Sequence, residues 1–183
     1  MSEPIGPGAF IAVVGASGSG KDALLSYASA RAAGRACFPR RTITRPLGQG
    51  EDHDPVEPAA FLEARNRGEF AVWWQAHGLH YGIPTTVDGE IRAGRPVVAN
   101  VSRAVLALLG ERYARLLVIR VTVTEAIREA RLRARAREGP TGIAQRLTRA
   151  DPAPGHPADA EIANVGTIAE AGDQLLSIIL SAA

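Results

Sequence analysis

Phe10-Ile11-Ala12-Val13-Val14, then Gly15-Ala16-Ser17-Gly18-Ser19-Gly20-Lys21-Asp22, then Ala23-Leu24-Leu25-Ser26-Tyr27-Ala28: the reading of this stretch decides the rest of the chain. The five apolar residues have the length and β-branched content of a buried strand. The residues from Ala23 onward start a helix. A glycine-rich loop that ends in lysine between a strand and a helix is the setting a phosphate-binding P-loop requires. Its glycines let the backbone fold tightly enough to aim several N–H groups inward. The helix N-terminus adds partial positive charge at the same point. An ordinary Gly/Ser turn is the plainer alternative, but it leaves that setting unexplained. Gly15, Ala16, Ser17, Gly18, Ser19, Gly20, Lys21 and Asp22 are therefore the expected nucleotide-phosphate site, with Lys21 reaching the terminal phosphates.

Lys21 is the only lysine in the chain; every other basic side chain is arginine. A compact ammonium fits inside such a loop, where a wide planar guanidinium does not. Asp22 stands where a P-loop normally has the Ser or Thr that ligates Mg²⁺. A carboxylate is a good hard-oxygen ligand for Mg²⁺, and it also favours a helix N-terminus electrostatically. Both roles stay open at this point.

With 183 residues and 46% hydrophobic content, the chain reads as one soluble α/β domain spanning 1–183. No apolar run has the length of a membrane span, and Met1-Ser2-Glu3-Pro4 lacks the pattern of a secretory signal. The single Cys37 forms no internal disulfide, in keeping with a cytoplasmic location, and reads as a packed thiol. The formal net charge of +2 does not call for nucleic acid.

Strands alternating with helices predict a parallel sheet covered by helices on both faces. Ala36–Arg41 reads as a short strand whose Pro39 marks an edge or bulge. Arg41 and Arg45 are then expected just past its end, as a bidentate clamp for an anionic acceptor or as a solvated charged loop. Glu51 to Asp54 reads as a mobile acidic loop. Pro58 to Arg67 reads as a helix, and Phe70 to Ala76 as a strand. His77 to Pro84 then forms a turn. The tryptophans and histidines there are placed to line a ligand pocket, with core packing and turn capping as the plainer alternatives. Further elements are a short helix from Val87 to Ala93, a buried strand at Pro96–Asn100, and a helix opened by Ser102 and Arg103. Leu116–Val123 reads as a central strand, with Thr124 as N-cap of the next helix. A last strand at Ala160–Asn164 and a terminal amphipathic helix from Thr167 to Leu180 complete the chain.

Arg128, Arg131 and Arg135 share one face of the helix after Thr124, and Arg133 and Arg137 another. Arg146 and Arg149 follow a Pro/Gly-rich break. By itself such a run is a solvated face. Beside a P-loop it reads as a lid, spanning about 128–146, that closes over transferring phosphates. The chain offers no convincing general base to deprotonate a hydroxyl. That suits an acceptor that is itself a phosphate.

At these residues the sequence resembles the guanylate-kinase-like fold. More narrowly it resembles the ribose 1,5-bisphosphate phosphokinase family of phosphonate degradation. The resemblance is carried by Gly20-Lys21-Asp22, Ile43-Thr44-Arg45, Trp74 with Ala76-His77-Gly78-Leu79-His80-Tyr81-Gly82, and Val98-Ala99-Asn100-Val101-Ser102-Arg103. It implies a P-loop kinase that uses ATP and Mg²⁺ to phosphorylate the 1-phosphate of ribose 1,5-bisphosphate, giving 5-phospho-α-D-ribose 1-diphosphate (PRPP). Its implied catalytic residues are Lys21, Arg131, Arg135 and Arg137. The implied substrate-binding residues are Arg41, Arg45, Trp74, His77, Tyr81, Asn100, Ser102, Arg103 and Arg146, with Asp22 at the metal and the acceptor region at about 38–84. Guanylate kinases typically carry an aspartate where this chain has Asn100. The metal-facing carboxylate is therefore expected to have moved to Asp22. The partner so implied is a small sugar phosphate, without nucleic acid or membrane, and a homodimer is compatible with the family. Two other readings are a nucleoside monophosphate kinase, for which the 51–81 region shows no clear guanine-reading set, and a non-catalytic guanylate-kinase-like interaction module, for which Lys21 and the arginines have no use.

Overall fold

A computed structural model of the chain describes residues 3–47, 52–134 and 156–183. The elements run β1 (Phe10–Val14), α1 (Lys21–Arg31), β2 (Arg41–Ile43), β3 (His53–Pro55), α2 (Pro58–Asn66), β4 (Phe70–Ala76) and β5 (Leu79–Pro84). They continue with α3 (Val87–Arg92), β6 (Val97–Asn100), a 3₁₀ turn (Arg103–Val105), α4 (Leu106–Arg112), β7 (Leu116–Thr122), α5 (Glu125–Ala134), β8 (Ala160–Ala163) and α6 (Ile168–Ser181).

The central sheet is all parallel, in the order β6-β1-β7-β8. Every residue of β1 is buried, because successive side chains point to opposite faces and both faces are covered. Ile11 and Val13 pack with Leu24 and Ala28 of α1 and with Leu175 and Ile179 of α6. Phe10, Ala12 and Val14 face the other way, into a cluster with Trp74, Ile83, Ile91, Leu109 and Tyr113. The rings of Phe10 and Tyr113 stack with centroids 5.0 Å apart. This two-sided burial is why β1 is apolar throughout instead of alternating. Thr167 caps α6 in a reciprocal box: its hydroxyl accepts from the Glu170 N–H, and the Glu170 carboxylate accepts from the Thr167 N–H.

A second, mixed sheet has the order β3-β2-β5-β4 and corrects three expectations. Ala36–Arg41 is not a strand. Cys37 makes an isolated bridge to Val97, Pro39 has no N–H to continue pairing, and the strand starts only at Arg41. Arg41 is therefore the first residue of β2, not a residue beyond a strand end. The 77–84 segment is mostly strand β5, not a turn. His77 (φ 53°) and Gly78 (φ 72°) alone make the turn. Positive φ at both positions gives the mirror-image turn whose twist matches a tight hairpin. Nor is the acidic stretch a mobile loop as far as it is described, from Asp52 on. His53 is buried in β3 with Nε2 3.0 Å from the Arg45 carbonyl oxygen, and Arg40 Nε reaches Asp52 and Asp54 at 2.8 and 3.3 Å. Glu51 lies outside the described residues.

One face of the mixed sheet, through Val72, Trp74 and Ile83, joins the cluster that holds Phe10. Against α2, Phe61 stacks on Phe70 at 4.6 Å and lies 5.2 Å from the His80 ring. Beside the larger cluster, Asp88 accepts from the Tyr113 hydroxyl at 2.8 Å and is paired in bidentate fashion with Arg112. No helix among the described residues is long and apolar enough to cross a membrane.

Candidate active site at the glycine-rich loop

Gly15, Gly18 and Gly20 take φ of 149°, 86° and 90°, values that side-chain-bearing residues rarely adopt. A Cβ on Gly15 would strike the Val121 carbonyl oxygen, and one on Gly20 the Asn164 amide. The loop is thus wound against the C-terminal ends of β7 and β8, where open parallel sheets bind ligands. Lys21 folds back into it. Nζ donates to the carbonyls of Gly15 and Ala16 at 2.9 Å each, with Ser19 Oγ at 3.5 Å. A small ammonium with three donors satisfies this concave set; a planar guanidinium has no matching geometry.

Asp22 is the second residue of α1, and its carboxylate meets two partners from distant parts of the chain. Arg41 Nη2 donates to Oδ1 at 3.0 Å, and Asn100 Nδ2 donates to the same oxygen at 2.8 Å. The Asp22 side chain keeps 55% of its surface exposed and that of Arg41 18%. The sequence-predicted donor site and acceptor arginine are thereby in direct contact.

Arg128 Nε donates to the Ser17 carbonyl at 3.0 Å, and Arg131 Nη1 to that of Ser19 at 3.3 Å. Their face of α5 lies on the loop. Arg133, on the other face, pairs with Glu129 at 2.7 Å in solvent. Arg135, Arg137 and Arg146 lie outside the described residues. A cleft of about 400 Å³ beside the loop, within the range of small-molecule sites, is lined by Gly15, Ala16, Ser19, Arg103, Arg120 and Arg128.

The remaining predicted residues distribute as follows. Ser102 caps the 3₁₀ turn, accepting from the Ala104 N–H at 3.3 Å, and so sets the entry of Arg103 into the cleft. Arg45 follows β2 closely, in a segment tied to β5 by His80 N donating to Thr44 Oγ1 at 2.8 Å. Tyr81 pairs across the hairpin with Trp74, rings 5.3 Å apart and within 3° of parallel. Trp74 is 8% exposed and part of the core cluster, so it meets Tyr81 from within the core and does not line an open pocket. His77 is exposed at the hairpin tip, four residues before Tyr81 and outside both strands of the hairpin.

Two residues escaped the sequence reading. Asn164, fully buried just past β8, donates Nδ2 to the Ser19 carbonyl at 2.8 Å, and its own carbonyl accepts from Arg131 Nη2 at 3.3 Å. Its Oδ1 has no partner among the described residues. Arg120 leaves β7 into the cleft and donates Nη2 to the His156 carbonyl at 2.9 Å. The one available signal was topological. The C-terminal ends of all strands in a parallel sheet converge on the same crevice, and polar residues at those ends were candidates on that ground.

Parallel sheet, wound glycine loop and enclosed lysine define an α/β P-loop kinase fold. Among solved structures the chain is similar to guanylate kinase from Anaplasma phagocytophilum, with TM-score 0.66 and 16% identity over 99% of this chain and 88% of that one. It is also similar to a gluconokinase from Sinorhizobium meliloti, with TM-score 0.54 and 16% identity over 98% and 94%. No family model matches the chain. Among curated proteins, ribose 1,5-bisphosphate phosphokinase PhnN of Pseudofrankia inefficax is 64% identical over 183 residues, covering 100% of this chain and 96% of the relative. The Bradyrhizobium diazoefficiens protein of the same name is 41% identical, covering 96% and 89%. The chain belongs to the ribose 1,5-bisphosphate phosphokinase family and is a phosphotransferase.

Proposed function

We propose that the protein transfers the γ-phosphoryl group of ATP to the 1-phosphate of ribose 1,5-bisphosphate, forming PRPP and ADP. The observation that carries this reading is full-length identity of 64% to a protein of that name, joined to a site in which Lys21 turns into the glycine loop and Arg41 pairs with the adjacent Asp22. In the reaction an oxygen of the 1-phosphate bonds to the γ-phosphorus as the bond to the ADP oxygen breaks. The attacking oxygen is already anionic, so no side chain has to take its proton. Catalysis then rests on positioning and charge neutralisation.

In this scheme 1–183 act as one domain. Gly15 to Asp22 hold the donor phosphates, with Lys21 at the terminal ones. Arg41, Arg45 and Tyr81, within an acceptor region at about 38–84, orient the acceptor, with Trp74 supporting Tyr81. Asn100, Ser102 and Arg103 border the transfer point, and His77 at the hairpin tip reaches the acceptor from outside. Arg131, with Arg135, Arg137 and Arg146 of a lid at about 128–146, neutralises the transferring charge.

The donor set at Asp22 fits Mg²⁺. It is one exposed hard-oxygen carboxylate beside the phosphate loop, and Mg²⁺ is usually held by one or two carboxylates with substrate phosphates and water. Bound there, Mg²⁺ would neutralise charge across the donor phosphates. Asp22 takes the place of the strand-end carboxylate that Asn100 lacks. The remaining parts of the scheme are a cytoplasmic enzyme of PRPP supply in phosphonate metabolism, compatible with a homodimer. Its partner is a sugar phosphate, not nucleic acid.

The test is a product assay with ATP, Mg²⁺ and either ribose 1,5-bisphosphate or GMP. PRPP with negligible GDP is expected. GDP as the main product overturns the acceptor assignment, and turnover of neither overturns both.

A further inference from the structure

A serine or threonine at the position after the P-loop lysine has no charge with which to hold a guanidinium. Here Asp22 holds one. Its Oδ1 takes both the Arg41 guanidinium at 3.0 Å and the Asn100 amide at 2.8 Å. Arg41 begins β2 and Asn100 ends β6, so one oxygen ties the mixed sheet, the parallel sheet and the start of α1 together. Asn100 can only donate through that nitrogen, which fixes the carboxylate's orientation toward Arg41. The arginine is the more buried partner, with 18% of its side chain exposed. A desolvated guanidinium needs an anion, and without substrate Asp22 supplies it.

We propose, on the footing of the phosphotransfer function above, that Asp22 acts as a stand-in for the acceptor phosphate. It occupies Arg41 until the donor and its Mg²⁺ draw the carboxylate away, which makes donor and acceptor bind cooperatively. Two anions compete for one guanidinium: the Asp22 carboxylate and the phosphate of the incoming sugar. Neutralising Asp22 by a cation on its other side weakens its hold on Arg41 and frees the guanidinium for the acceptor. By linkage the acceptor raises the affinity for the cation-bearing donor by the same factor. A phosphate acceptor that entered first would have to displace the Asp22 carboxylate from Arg41 before any cation is in place to offset its charge. The order donor first, acceptor second is therefore favoured. Arg41 changes partner in this cycle, whereas Lys21 keeps to the loop.

The competing pair is partly exposed. Its release is therefore worth a modest factor, about three- to tenfold in acceptor affinity, not several orders of magnitude. Asp22 is a positioning residue in this scheme. Its signature is a change in acceptor affinity of the free enzyme, which a merely structural role does not produce.

The experiment is calorimetric titration of the intact protein with ribose 1,5-bisphosphate and, in parallel, with inorganic phosphate. Each is measured alone, with a non-hydrolysable ATP analogue in EDTA, and with the same analogue and Mg²⁺. For the wild type, acceptor affinity is expected to rise about three- to tenfold only with analogue and Mg²⁺ together. Asp22→Asn and Asp22→Ser are expected to bind the acceptor more tightly than wild type without the analogue and to show little further gain with it. In an Arg41→Gln background the Asp22 substitutions should change nothing. The inference is overturned if both Asp22 variants, with melting temperatures near wild type, leave the free-enzyme affinity and the gain unchanged. Weaker acceptor binding by both variants overturns it equally. Inorganic phosphate separates this from the assignment of substrate. If phosphate shows the pattern and the bisphosphate does not bind, the acceptor assignment fails and the Asp22 competition stands. If PRPP is made but neither probe shows the pattern, the competition fails and the function stands.

Discussion

Replacing Lys21 by methionine and, separately, by arginine distinguishes a catalytic ammonium from a structural one. In the folded protein Nζ makes two hydrogen bonds of 2.9 Å to the Gly15 and Ala16 carbonyls, with Ser19 Oγ at 3.5 Å. Both carbonyls lie in a loop that borders an open cleft, so water replaces the lost donors. Charge-assisted hydrogen bonds contribute roughly 1.5–3 kcal/mol each before such replacement, so the net cost of losing them here is put below about 2 kcal/mol. For a chain of this size that lowers the melting temperature by less than about 8 °C. The transition state is affected more. Removing one preorganised donor from developing oxyanion charge costs about 10²–10³ in kcat. Activity is therefore expected to fall far beyond what stability accounts for. Arginine keeps the charge but presents a flat fork to a set of acceptors arranged for a point charge, so Lys21→Arg should lose activity to within about tenfold of Lys21→Met. The assay is ADP release with ribose 1,5-bisphosphate, alongside thermal melts. Lys21→Arg retaining more than a tenth of wild-type kcat would refute the geometric reasoning. A melting temperature that collapses with activity would show that the lysine holds the loop instead of the substrate.

Asn164→Ala removes the buried amide that holds the Ser19 carbonyl. It is expected to cost about 1–3 kcal/mol in denaturant unfolding and to raise the KM for ATP more than that for the acceptor; an unchanged ATP KM counts against a role in shaping the loop. Gly20→Ala forces a side chain into φ 90° and against the Asn164 amide, so it should weaken binding of the ATP analogue in calorimetry, while Gly34→Ala, also strained at φ 76° but with open space around it and outside the loop, should lower stability without changing that binding. Burial, then the hydrogen bond to the Asp88 carboxylate and its charge, hold the Tyr113 hydroxyl well above its ordinary value near 10. The folded state thus keeps a proton that the unfolded chain gives up. The stabilisation it contributes is complete below pH 10 and is lost as pH rises from there toward the folded-state value. Tyr113→Phe should flatten the alkaline fall in stability measured by urea titration; an equally steep fall in the variant would refute the assignment.

What the sequence determined by itself was local. Strand, glycine loop, lysine and helix are contiguous from Phe10 to Arg31, and short-range sterics and hydrogen bonding suffice to set them. The same holds for β4, for α3 ended by Gly94 at φ 81°, and for α6 with its Thr167–Glu170 box. It also holds for α5, where helical spacing alone put Arg128 and Arg131 on one side and Arg133 on the other. Apart from β4, the mixed sheet was not legible. β2 and β3 are three residues long and polar, so neither alternation nor apolar run marks them. The His77-Gly78 turn relies on a histidine at positive φ that composition does not announce. Trp74 looked equally suited to pocket or core until the mixed sheet set its face inward.

The site's connections were decided only by the tertiary structure. Asp22 meets Asn100 across 78 residues, and Asn164 meets Ser19 across 145. Each such contact depends on which strands become neighbours, and strand order in a sheet follows from packing of the whole chain and not from any window of it. The sequence could name an expected phosphate loop, a carboxylate where a hydroxyl usually stands, and Arg41 and Arg45 as candidates for an acceptor. That the carboxylate and the arginine grip each other is a property of the fold, because only the placing of β2 beside the start of α1 brings their charges within a hydrogen bond.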